Sequence, residues 1–185
     1  MTRGERSFAL PGLVASLLLV IGLVAQPAAA EAPVDLDAER RAALAALPVI
    51  GGDALEAGDL DGKVVVLTFF AAWCPPCHAE FDYLNAIDAA YGEDVVILAV
   101  NIFEDHFKKD QEARLAGFLA KKAPAFRILG EGEQVGPLFN EVSRIPTLYV
   151  FGRDGQAVKH FIHARGAKKT HASFEDIDTA IRAAL

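Results

Sequence analysis

The chain has 185 residues, a formal net charge of −7, 52% hydrophobic and 23% charged residues, and two cysteines. That length accommodates one domain with a proper core and little more. The apolar fraction and the twelve phenylalanines exclude a disordered or fibrous chain. The acidic balance argues against a nucleic-acid partner, and two cysteines exclude a scaffold stapled by several bridges.

The first thirty residues differ from the rest. Arg3 and Arg6 make a basic start, Leu13 to Ala25 is apolar apart from Ser16, and Ala28-Ala29-Ala30 precedes Glu31. Small residues at the first and third of these positions suit signal peptidase, so residues 1–30 read as a secretory signal peptide cleaved after Ala30. Counted from Phe8 to Ala25, the same stretch reads alternatively as an uncleaved membrane anchor. Either reading puts the globular part outside the inner membrane, in the periplasm. Removing the segment takes away Arg3, Arg6 and Glu5 and leaves a charge of −8.

Strand-like and helix-like segments then alternate, the pattern of a single α/β domain. Residues 31–44 form an N-terminal extension. The alanine-rich stretch Leu36 to Leu47 predicts a helix closed by Pro48 and Gly51-Gly52. Lys63 to Phe70 is a strand with apolar residues on both faces, hence central in a sheet. A helix follows from near Cys74 to Tyr91, ended by Gly92, and Asp94 to Asn101 is a second buried strand. A crossover helix between the two makes them parallel. Gln111 to Lys122 is an amphipathic helix with Leu115, Phe118 and Leu119 on one face. Ala125 to Leu129 is a short strand and Pro137 to Val142 a short helix. Thr147 to Phe151 and Gln156 to His163, joined by a short turn, form an antiparallel pair. Ser173, with Asp176 three residues on, caps a last helix through Leu185.

The chemistry falls where the first buried strand ends. Phe69-Phe70-Ala71-Ala72-Trp73-Cys74-Pro75-Pro76-Cys77 puts two thiols one helical turn apart, near enough to close a small disulfide ring. Cys74 falls at the helix N-terminal boundary, where unpaired N–H groups and the helix dipole favour a thiolate. Cys77, one turn inside, is shielded and suited to resolving a mixed disulfide. Prolines are tolerated in that first turn, but Pro75 and Pro76 offer a Cys74 thiolate no N–H group. This predicts a reducing couple.

Other readings of the pair have weaker support. A zinc site needs further ligands, and the only histidines at ligand spacing, His160 and His163, sit on a predicted strand facing opposite ways. His78 after Cys77 completes a haem-attachment signature, but the only methionine is Met1 and the pair lies directly behind a buried strand. His106, His160 and His171 read as surface or satisfied residues.

The string from Val64 to Cys77 resembles the active-site segment of thioredoxin-fold proteins, in particular the periplasmic TlpA/ResA-like branch that includes the cytochrome c maturation thioredoxins. The resemblance covers about residues 45–185. It implies a single thioredoxin-like α/β domain with a central mixed sheet and helices on both faces, Cys74 as exposed nucleophile and Cys77 as resolving thiol. It implies that Ile145-Pro146 is the cis-proline loop beside the disulfide, where the Ile145 backbone pairs with a substrate chain. Phe103 to Arg127 is similar to the extra strand-and-helix insertion of the branch. Trp73 becomes a lid beside the disulfide or an ordinary packed aromatic; with Pro75, Pro76, Ile145 and Pro146 it completes the substrate-binding set. Glu80 matches an acid that reductive members keep near the resolving cysteine, where it could relay a proton; the alternative is a solvated acid favoured by the helix dipole. Thr68 stands where thioredoxins carry a buried aspartate, which leaves Glu80 as the better proton carrier.

The function so implied is a periplasmic thiol-disulfide oxidoreductase, monomeric, without cofactor or metal. It would reduce substrate proteins such as apocytochrome c or a copper-site protein and be re-reduced by a membrane electron donor of DsbD or CcdA type. The alternative from a different class is a thiol-based copper metallochaperone for a respiratory oxidase.

Overall fold

The structure is a computed structural model that describes Met1 and residues 34–185. The export-segment reading of residues 1–30 lies outside the described residues. Among the described residues no helix is long and apolar enough to cross a membrane.

The elements follow in the order α1 (Ala38–Ala45), β1 (Val49–Gly51), β2 (Val64–Phe70), α2 (Pro75–Tyr91), β3 (Val95–Asn101), α3 (Gln111–Lys122), β4 (Arg127–Leu129), β5 (Thr147–Phe151), β6 (Ala157–Ile162) and α4 (Phe174–Ala184). They build one six-stranded mixed sheet in the order β1-β4-β3-β2-β5-β6. The strands β2, β3 and β4 run parallel, whereas β1, β5 and β6 each pair antiparallel with their neighbours. Every residue of β2 is buried, Thr68 included, as its apolar run without alternation leads one to expect of a strand covered on both faces. Its register with β3 runs without a slip from Val64↔Val95 to Phe70↔Asn101, so both strands end on one rim.

The two faces are told apart by alternating residues of β2. Phe70 packs on Phe81 of α2 and Phe118 of α3, at ring separations of 4.7 and 5.3 Å. Phe69 points the other way, 5.5 Å from Phe139. Helix α4 packs on α2 and on β5 and β6, which sets α2, α3 and α4 on the Phe70 face. On the Phe139 side α1 is tied in by Arg40, whose Nε donates to the Leu138 carbonyl at 2.8 Å. Residues 34–44 contribute to the same core: Leu36 and Leu44 are buried, and the Leu36 N–H donates to the Gly155 carbonyl at 2.7 Å.

Helix α2 forms because its sequence satisfies both its start and its buried face. Cys74 is the N-cap, prolines occupy the first two positions where no N–H is needed, and Phe81, Leu84 and Ile87 recur at helical spacing on the buried side. At α4 the expected cap is complete: Ser173 Oγ accepts the Asp176 N–H while the Asp176 carboxylate accepts from Ser173.

Three expectations are corrected. Val49–Gly51 is a short edge strand on β4, not merely the end of the preceding helix. The helix expected over Pro137–Val142 is instead a single 3-10 turn at Gly136–Leu138, because Asn140 and Glu141 both take positive φ, 53° and 49°, which no right-handed helix can contain. The strand expected from Ala125 begins only at Arg127.

Candidate active site

Cys74 and Cys77 are joined in a disulfide with their Cα atoms 5.3 Å apart. The pair sits at the rim where β2 and β3 end, the end of a parallel sheet at which open α/β folds place their chemistry. The N–H of Cys77 donates to Cys74 Sγ at 3.3 Å. This supplies the one nearby donor that Pro75 and Pro76, which have no N–H, cannot. The exposed nucleophile implied by resemblance is corrected: Cys74 is 2% exposed and Cys77 fully buried. The closed ring turns the Cys74 sulfur inward to its partner, and Ala71 and Ala72 beside it are buried too. Pro75 is exposed and Pro76 half-buried.

One turn beyond Cys77 the chain places a carboxyl in the core. Glu80 is fully buried, which overturns the solvated-acid alternative. The Thr68 hydroxyl donates to Glu80 Oε1 at 2.5 Å, and Oε2 has no hydrogen-bond partner among the described residues. Burial pushes the Glu80 carboxyl up to about 7, against the Thr68 hydroxyl and the Ala172 backbone, which favour its ionised form. A hydroxyl on β2 thus holds a glutamate reaching in from α2. Thr68 Oγ1 also lies 3.4 Å from the carbonyl of Thr147.

Thr147 follows the Ile145–Pro146 peptide, which is cis. Thr147 pairs with Phe69 in the β2–β5 register, so Pro146 and Ile145 stand level with Phe70 and Ala71 at the end of β2, on the same rim as the disulfide. His163, just past the end of β6, brings Nε2 to 3.4 Å from the Ile145 carbonyl.

The loop Ala71–Trp73 between β2 and Cys74 is held by residues that no sequence pattern marks for that role. The Ala72 N–H donates to Glu104 Oε2 at 2.8 Å, and the Ala72 carbonyl lies 3.0 Å from His78 Nε2. The indole N–H of Trp73 donates to the Phe103 carbonyl at 2.8 Å. The ring of Trp73 stacks on His106 at 4.8 Å and meets Phe107 edge-on at 5.4 Å. His106, expected to be a surface or satisfied residue, is exposed and lies against Trp73. His78, which completed a haem-attachment signature, packs edge-on against Phe118 at 4.7 Å. His160 stacks on Tyr149 at 4.2 Å, away from the cysteines. Among the described residues no three His, Cys, Asp or Glu side chains are grouped to hold a metal ion.

A closed Cys-x-x-Cys pair on the N-terminal turn of a helix, at the rim of a thioredoxin-like mixed sheet, defines a thiol-disulfide redox protein. The chain belongs to the Redoxin family, whose family model matches residues 45–181. It is 26% identical over 160 residues to the thiol-disulfide oxidoreductase ResA of Bacillus subtilis, covering 86% of each chain. It is 32% identical over 104 residues to the thiol:disulfide interchange protein DsbE of Yersinia pestis, a match that covers 56% of this chain but only 50% of that protein. A crystal structure from Chlorobium tepidum, assigned as a thiol:disulfide interchange protein DsbE, superposes with a TM-score of 0.56 at 26% identity over 76% of this chain and 94% of that one.

Proposed function

We propose that the protein is an exported disulfide reductase that acts on other proteins outside the inner membrane. The observation that carries this reading is the Cys74–Cys77 disulfide with a buried Glu80 carboxyl, raised to about 7, one turn behind it. In the reduced protein the Cys74 thiolate attacks one sulfur of a substrate disulfide, forms a Cys74–substrate bond and expels the other substrate sulfur as a thiolate. Cys77 then loses its proton, attacks the Cys74 sulfur, closes the Cys74–Cys77 disulfide and releases the second substrate sulfur. Two electrons pass to the substrate and the protein is left oxidised. A carboxyl titrating near neutrality can accept the Cys77 proton and return it, which is the role assigned to Glu80. Ile145 and Pro146 form the ledge on which the substrate backbone rests, with Trp73, Pro75 and Pro76 lining the approach.

The reducing direction is supported by the first turn of α2. Prolines at 75 and 76 leave Cys74 with one backbone donor, from Cys77, where a strongly oxidising thiolate needs more. A reduction potential close to that of periplasmic oxidants would overturn it. The compartment is oxidising, so the protein must be re-reduced by a membrane dithiol carrier of DsbD or CcdA type. The names of the relatives support a protein disulfide as substrate; a haem-site disulfide of apocytochrome c or the cysteines of a copper site fits that chemistry. Residues 1–30 serve as the export signal or anchor, and residues 45–185 as a monomeric catalytic domain.

Trapping tests the whole reading. A Cys77→Ser variant of the full chain, expressed in its host, is expected to accumulate mixed disulfides through Cys74 whose partners can be identified after reduction. Absence of any such adduct, together with copper bound in a fixed ratio to the wild-type protein, would instead establish the metallochaperone reading.

A further inference from the structure

Segment 103–122 meets the active-site loop through an ionic chain. Glu104 Oε2 accepts the N–H of Ala72 at 2.8 Å and the side-chain amide of Asn101 at 3.0 Å. Its other oxygen accepts from Arg114 Nε of α3 at 2.8 Å, and a second Arg114 nitrogen donates to the Glu104 carbonyl at 2.8 Å. The carboxylate is therefore fixed from both sides, with its side chain only 12% exposed. At the opposite end of the Ala72 residue, His78 holds the carbonyl and is itself packed on Phe118 of α3. Helix α3 thus stands behind both groups that grip Ala72, two residues ahead of Cys74. Trp73, between them, is pinned to the carbonyl of Phe103, the residue before Glu104.

A surface ion pair that served stability alone would not need a backbone N–H of the reactive loop as its third partner. We propose that Glu104 is a positioning residue for thiol exchange: held by Arg114, it fixes the Ala72 peptide and with it the direction in which Trp73 and the Cys74 sulfur present themselves to a substrate. This rests on the reading of Cys74 and Cys77 as the exchanging pair. Displacement of a reacting group by about 1 Å can cost up to about a hundredfold in rate, so one anchored peptide next to the nucleophile has leverage that its own hydrogen bond does not.

The test uses the reduced full chain with oxidised glutathione as substrate, well below the melting temperature of every variant. Glu104→Ala is expected to react about tenfold more slowly. In the same variant Trp73, the only tryptophan, should become more accessible to acrylamide quenching. Glu104→Gln keeps an oxygen for the Ala72 N–H and is expected to recover most of the rate and the quenching of the wild type. A loss of stability alone would move neither quantity at that temperature. If Glu104→Ala folds and matches the wild type in both rate and quenching, the assignment is overturned. If it does not fold, Arg114→Gln decides in the same way: faster quenching and a slower reaction support the brace, wild-type values overturn it. Cys74→Ser, run in parallel, separates the two failures. A variant still active without Cys74 defeats the exchange reading, whereas an inert one beside a normal Glu104→Ala defeats only the role of Glu104.

Discussion

Glu80 and Asp176 are two carboxyls that each accept a hydrogen bond from a hydroxyl, Thr68 for one and Ser173 for the other, and they titrate in opposite directions. Burial raises Glu80 to about 7. Burial is also the largest single influence on Asp176, yet the Lys169 ammonium, the Ser173 hydroxyl and the Ser173 N–H together outweigh it and hold that carboxyl well below the usual range. Lys159 adds a second ammonium 3.7 Å from Asp176. A hydroxyl donor alone does not keep a carboxylate ionised in the core; a counter-charge and residual contact with water do. One carboxyl takes up its proton near neutrality, and the other stays an anion.

The largest effect that can break this contrast comes from Glu80→Gln. The folded protein holds the Glu80 proton more tightly than the unfolded chain, whose carboxyl titrates near 4.5. Its contribution to stability is therefore full below 4.5 and is lost as pH rises to about 7, a fall of about 3 kcal/mol across the interval. Urea unfolding of the oxidised protein should show this fall in the wild type and not in Glu80→Gln. Parallel curves for the two would mean that the carboxyl is not raised. Thr68→Val comes next. It removes the side-chain donor to Glu80 and should cost about 1–2 kcal/mol at pH 8, where the carboxylate is charged, and less at pH 5, where it is protonated. An equal loss at both pH values would assign the cost to packing rather than to the charge.

The same contrast separates what the sequence discloses from what it withholds. The Ser173–Asp176 cap is legible because its partners lie three residues apart on one turn. The same is true of Cys74 and Cys77, with prolines in the first turn of α2. The buried strands β2 and β3 are legible from apolar runs that show no alternation. Glu80 could be placed near the resolving cysteine, but not in the core, since its burial depends on Thr68 twelve residues earlier and on packing across the sheet. Glu104 gives no signal at all: its partner Ala72 lies 32 residues back, and that pairing exists only once β2 and β3 are aligned side by side. The edge strand β1 is hidden for the same reason, being defined by β4 much later in the chain. The failed helix at Pro137–Val142 has a backbone cause, two successive left-handed residues that composition does not announce.

Ser173→Ala gives the smallest effect and sharpens the contrast from the Asp176 side. The substitution removes the oxygen that accepts the Asp176 N–H at 3.3 Å and the hydroxyl that donates to its carboxylate at 2.6 Å, while leaving the donation from the backbone of residue 173. A lost N-cap of this kind costs about 1 kcal/mol. Because the folded carboxyl is depressed below its ordinary value of 3.8, what it adds to stability is present above that pH and is lost as pH falls through its folded value. The penalty of Ser173→Ala should therefore be full at pH 7 and shrink in strong acid, the reverse of the trend set by Glu80. Denaturant midpoints for wild type and variant, followed from pH 7 down into acid strong enough to protonate the folded Asp176 carboxyl, decide it. A penalty that stays constant would show that the cap acts through its N–H acceptor alone and that the Asp176 charge is held by the two lysines without help from Ser173.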